Sequence, residues 1–118
     1  MVNPRQGDIF WVRFGKAKDS GPAGKRPAIV IQNDLLNKSD IRTTVVAMVT
    51  SNTKLSKIPW NVELKKGSGN LSKTSVAVVS QMATVDKGRL LSKIGTVGKD
   101  SLEQIIDGCR KVISISVF

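Results

Sequence analysis

A chain of 118 residues with no histidine and a single cysteine has a narrow choice of chemistry. The missing imidazole removes the commonest metal ligand and the usual general base. Cys109, standing alone, makes neither an internal disulfide nor a thiolate metal site. What the chain holds in excess is guanidinium and ammonium: 19 Lys and Arg against 9 Asp and Glu, a formal charge of +10. These cations are not gathered in a tail. Arg5, Arg13, Lys16, Lys18, Lys25 and Arg26 lie early, and Lys54, Lys57, Lys65, Lys66 and Lys73 follow mid-chain. Such a field draws in phosphate backbones or acidic protein segments over about a Debye length.

The elements that position these groups follow from the pattern. One domain, residues 1–118, is expected, because chains usually divide only beyond about 250 residues. Residues 9–14 are aromatic and β-branched, hence a strand entered by the Gln6-Gly7-Asp8 turn. A long basic loop spans 15–25, and residues 27–32 form a continuous apolar strand whose leading proline forfeits no ladder bond. A helical turn is predicted over 35–39 and a third strand over 43–49. Thr50-Ser51-Asn52 then leads into a second basic loop with Lys54 and Lys57.

Further strands are predicted over 60–64, 75–79 and 94–97, with a turn at 67–70. From Ser101 the period becomes helical, with Leu102, Ile105, Ile106, Cys109 and Val112 on one stripe that is core or dimer surface. Asp100 and Glu103 have the spacing of a capping box, and the tail 113–118 alternates like a strand. Short, regularly spaced strands imply a mainly β (α+β) barrel or sandwich with a C-terminal helix. Trp11 reads as core, and Trp60 as a ring able to stack on a base. No apolar run reaches the roughly 20 residues needed to span a bilayer, and the N-terminus lacks a signal-peptide core, so a cytoplasmic protein without membrane contact is expected.

Three segments carry a resemblance. They are Arg5-Gln6-Gly7-Asp8-Ile9-Phe10-Trp11-Val12, Gly24-Lys25-Arg26-Pro27-Ala28-Ile29-Val30-Ile31-Gln32-Asn33-Asp34, and Val45-Val46-Ala47-Met48-Val49-Thr50-Ser51. Gln81-Met82-Ala83-Thr84-Val85-Asp86-Lys87-Gly88-Arg89-Leu90 adds a weaker fourth, placed after the last long strand. In this order they resemble the MazF/PemK toxin family, and the second is the specific one. The resemblance implies an SH3-like β-barrel with a C-terminal helix, assembled as a homodimer. It implies a type II toxin that cuts single-stranded RNA at a short sequence, without metal or cofactor, and is neutralised by an acidic antitoxin covering the RNA groove. Carried over by motif, the catalytic pair is Arg26 and Thr50. Ser20, Lys25, Ser51, Asn52, Lys54, Lys57 and Gln81 are the expected RNA contacts. The first loop departs from the family, having Gly21 and Pro22 where relatives carry Glu and Gln, so no relative's cut-site transfers.

Taken alone, Arg26 is an arginine at a loop-to-strand junction and Thr50 a threonine at a strand end, positions more often filled for solvation and turn chemistry. In the motif their chemistry fits metal-free RNA cleavage, in which a ribose 2′-hydroxyl attacks the adjacent phosphate. Arg26 can grip two phosphate oxygens and stabilise charge growing on them, whereas its high pKa makes it a poor base. Thr50 can donate its hydroxyl to a phosphate oxygen or orient the nucleophile. Gln32, Asn33 and Asp34 read as turn-formers, and Gln81 as either a base contact or a buried amide. Two readings compete: a toxin of the same fold that poisons a protein such as DNA gyrase, and a module that holds RNA without cutting it.

Overall fold

The computed structural model describes residues 2–15 and 24–117. Among the described residues, six strands form one antiparallel sheet in the order β4-β5-β3-β2-β1-β6. They are β1 Asp8–Phe14, β2 Gly24–Val30, β3 Thr43–Thr50, β4 Val62–Leu64, β5 Ser75–Asp86 and β6 Leu90–Thr96. A one-turn helix α1, Asp34–Asn37, joins β2 to β3, and the chain ends in helix α2, Lys99–Val112. The sheet curls into a half-barrel, in keeping with the expected mainly β class with a C-terminal helix.

Both faces of the central strands are apolar, which is why β2 and β3 read as near-continuous hydrophobic runs. Ile9, Ile29, Ala47 and Val49 join Leu64, Ala77 and Val79 in a core sealed by Ile105 and Cys109 of α2. The alternate residues Phe10, Val12, Ala28, Val30, Val46 and Met48 pack on the other side with Val85 and Leu90. Each side chain this size contributes about 1.5–3 kcal/mol when fully buried. Burial pushes the Cys109 thiol up, so it is a core residue and not a nucleophile.

The structure corrects several local expectations. The strand expected over 60–64 begins only at Val62, because Trp60 has φ 70, which no strand residue adopts. The strand expected to stop at Val79 runs on to Asp86, and the one expected at 94 begins at Leu90, so the fourth matching segment lies largely within β5 and β6. Along β5 the register jumps, since Ala47 faces Met82 while Met48 faces Val78. The bulge leaves Val79 without a partner in β3, and its N–H donates instead to Asn61 Oδ1 at 3.1 Å. There is no capping box at α2: its N-cap is Gly98, with no side-chain cap, and Glu103 reaches Lys99 at 3.9 Å. The tail 113–117 joins no strand among the described residues and leaves Ile113, Ile115 and Val117 exposed.

Candidate functional site

β2 and β3 pair only from Ala28 with Met48 to Val30 with Val46. Further along, the two strands separate, and a cleft of about 570 Å³ opens between the start of β2 and the end of β3. The reason is local. Ile31 donates its N–H to Val45 O at 2.9 Å, and donors on one edge alternate along a strand, so the position aimed at Val49 is residue 27. That residue is proline, which has no N–H to give. Each bank of the gap is held from behind, Arg26 opposite Val12 of β1 and Thr50 opposite Val76 of β5.

Lys25, Arg26, Thr50 and Ser51 all line this cleft. Thr50 Oγ1 accepts the N–H of Asn52 at 3.2 Å, which fixes the oxygen and leaves its own proton to donate. Asn52 does not line the cleft; its side chain accepts from Lys54 N at 3.3 Å and starts a 3₁₀ turn, Thr53–Lys57. Lys54 and Lys57 are exposed on that turn, and Gln81 is exposed on β5 at the bulge, so it is not a buried amide. Ser20 lies outside the described residues.

Four features of the cleft are invisible to a motif reading. Trp11, expected in the core, instead faces the cleft, and the Lys25 ammonium sits 5.1 Å from its ring centroid. The far wall is the segment between β4 and β5, including Asn70, Ser72 and Lys73, together with Ser75 at the start of β5. This wall is braced by Gly67 N–H to Leu71 O at 2.8 Å, Asn70 Nδ2 to Ile94 O at 2.9 Å, and Ser75 Oγ to Lys73 O at 2.9 Å. At Gly95 the carbonyl of Gly69 comes so close that a β-carbon would collide with it. Glycine at 67 and 95, together with the polar Asn70-Leu71-Ser72-Lys73 run, is the only sequence trace of this wall.

The N-terminal entrance to β1 is anchored beneath. Asp8, 3% exposed, accepts from Thr96 Oγ1 at 2.8 Å and Arg5 N at 3.0 Å, and pairs with Lys93 Nζ at 3.3 Å. At α1, burial alone would raise the Asp34 carboxyl, but donors from Gln6 N and Asn37 Nδ2 and the charges of Lys38 and Arg5 outweigh it, holding the pKa below its ordinary value.

Three cations line the described part of the cleft, Lys25, Arg26 and Lys73, together with the hydroxyl residues Thr50, Ser51, Ser72 and Ser75 and no carboxylate. That is a β-sheet protein with a cation-lined cleft at a strand end, a charge distribution complementary to a polyanion. The family described as PemK-like, MazF-like toxin of type II toxin-antitoxin system matches residues 5–113. Endoribonuclease MazF2 of Mycobacterium bovis is 34% identical over 108 residues, covering 92% of this chain and 95% of its own. Endoribonuclease MazF6 of Mycobacterium tuberculosis matches to the same extent. Among solved structures, MazF of Deinococcus radiodurans superposes with a TM-score of 0.78 at 20% identity, covering 96% of this chain and 98% of that one. MazE-MazF from the same organism gives 0.75 at 20% identity, covering 98% and 100%. The chain belongs to the PemK-like, MazF-like toxin family of type II toxin-antitoxin systems.

Proposed function

We propose that this chain is the toxin of a type II toxin-antitoxin pair and acts as a sequence-specific endoribonuclease on single-stranded RNA. The observation that carries the reading is the joint placement of Arg26 and Thr50 on the two banks of a cleft lined by cations, with no carboxylate among its described lining residues. Relatives named as endoribonucleases, matched along nearly the whole chain, support it.

In this reading a phosphate of the RNA enters between β2 and β3. The ribose 2′-oxygen attacks phosphorus, the bond to the 5′-oxygen breaks, and the products are a 2′,3′-cyclic phosphate and a 5′-hydroxyl. The proton lost by the 2′-hydroxyl and the one gained by the 5′-oxygen balance. Arg26 donates to the non-bridging oxygens and stabilises charge that is greatest in the transition state. Thr50, its oxygen held by Asn52 N–H, donates to the same phosphate. Neither role needs a metal or cofactor. Lys25 and Ser51 hold flanking backbone, Lys54 and Lys57 carry it past the 3₁₀ turn, and Ser20, Asn52 and Gln81 contribute contacts along the strand.

An acidic antitoxin would neutralise the protein by occupying the same cations, a role the +10 charge favours. Exposed Leu35 and Leu36 on α1 and the apolar tail suit assembly as a homodimer. Among the described residues no helix is long and apolar enough to cross a membrane, and a toxin acting on RNA belongs in the cytoplasm.

Incubation of the protein with a long single-stranded RNA in excess chelator, with cut ends mapped, tests the reading. Discrete cuts with cyclic phosphate ends, absent in Arg26→Ala, support it. Intact RNA, from folded protein on several unrelated RNAs, overturns it.

A further inference from the structure

A second recess lies at the opposite end of β3. It has a volume of about 510 Å³ and is lined by Arg5, Asn37, Lys38, Asp40, Arg42 and Lys87, among others. Arg42 precedes the first residue of β3 and Thr50 is its last, so this recess and the cleft are separated by roughly 26 Å at about 3.3 Å per strand residue. Nothing in the proposed cleavage step uses it.

Its floor is unusual for a protein interior. Lys87 is only 6% exposed, and charged side chains are almost never this buried unless paired. Among the described residues its ammonium has one hydrogen-bond partner, Asn37 O at 2.9 Å, and no carboxylate. An ammonium has three protons, so two remain, and the space they can address is the recess that Lys87 lines. Arg5, Lys38 and Arg42 are exposed at the rim. Two carboxylates stand nearby: Asp40 on the rim, and Asp34, already engaged by Gln6 N and Asn37 Nδ2. Of the residues that line the recess, four are cations and one, Asp40, is a carboxylate, an excess of positive charge around a concave site, where an oxyanion is bound more strongly than on open surface.

We propose that this recess is a second phosphate-binding site, with Lys87 as its buried anchor and Arg42 as its rim clamp. The phosphate is either a phosphodiester of a bound RNA, running the length of β3 from the cleft, or a free phosphate or phosphomonoester. The first source rests on the function proposed above; the site itself does not.

The test uses the full chain and two probes, inorganic phosphate and a long 2′-O-methyl RNA that cannot be cleaved. Arg42→Gln is the main variant, because Arg42 is exposed and its loss leaves the core intact; Lys87→Met probes the anchor, and Lys99→Gln on α2 controls for bulk charge. Phosphate is expected to shift the amide resonances of Arg42 and Lys87 in the parent, and this response is lost in Arg42→Gln. On the RNA, the slope of log K against log salt is expected to fall by about 0.7 in Arg42→Gln and to hold in Lys99→Gln. Loss of the phosphate response with an unchanged RNA slope assigns the site to free phosphate. No resonance shift together with an unchanged slope overturns the proposal. Arg42→Gln retains the parental cut sites, so failure here is distinct from failure of the cleavage reading, which would show as no cutting by the parent.

Discussion

Arg26 and Thr50 occupy positions that continue the register of β2 and β3 beyond its last pair. Ala28 faces Met48, so the next steps would set Pro27 against Val49 and Arg26 against Thr50. The ladder ends at Ala28, and the two residues that would have been neighbours in a sheet become the two banks of a cleft.

If the pair acts on one phosphate, each loss has a distinct signature. Arg26→Ala should lower the cleavage rate by on the order of 10²–10³, the usual effect of deleting one charge-stabilising donor. Arg26→Lys should recover little of it, since a point charge cannot reproduce the planar fork. Thr50→Ser should retain most activity and Thr50→Val should not. Single-turnover cleavage rates check all four, and a Thr50→Val enzyme as fast as the parent would remove Thr50 from the mechanism.

Pro27 keeps the cleft open by withholding a donor. In Pro27→Ala the new N–H can reach Val49 O, extending the ladder toward Arg26 and Thr50. Cleavage should fall, by up to about 10²-fold for a displacement near 1 Å, while folding stability changes by less than about 1 kcal/mol. The rate and the urea midpoint, measured together, separate a closed cleft from an unfolded protein.

Gly95 admits the Gly69 carbonyl that carries the far wall. Gly95→Ala should push that wall outward and cost about 1–3 kcal/mol, as overpacking does. Thermal unfolding reads the loss. RNA binding should weaken as well, because Asn70, Ser72 and Lys73 move with the wall.

Trp11 and Trp60 are the only tryptophans, and they are separable. In Trp60→Phe the remaining emission comes from Trp11 in the cleft, with the Lys25 ammonium beside its ring. Uncleavable RNA should change that emission as Lys25 turns to phosphate. An unaltered spectrum at saturating RNA would place the RNA elsewhere.

Asp34 sets an acid limit. Its folded pKa lies below the ordinary 3.8, so it binds its proton more weakly when folded. The stability it contributes is therefore complete above that ordinary value and is lost as pH falls through the lower folded value. Asp34→Asn should be less stable than the parent at pH 5, with the gap narrowing as the solution is acidified; urea unfolding at several pH values checks the trend.

How much of this was legible in the residues depends on the range of the interaction. Period-2 and period-3.6 patterns placed the cores of β1, β2, β3 and α2, because local backbone geometry dictates which side chains share a face. The ends failed where a distant contact decided them. Trp60 is held at φ 70 beside Gly108 of α2, β5 outruns its apolar run because β3 pairs with it again beyond the bulge, from Met82 to Asp86, and α2 starts without a side-chain cap. Composition alone determined the excess of cations and the absence of imidazole, and a short motif singled out Arg26 and Thr50.

Only the tertiary structure decided what surrounds them. Trp11 and Lys73 belong to the cleft, and Lys87 to the second recess, because strands far apart in the chain end at the same place. Side-chain chemistry is written residue by residue, whereas a cleft is the space left where pairing stops, and that depends on the register of strands the sequence does not place side by side.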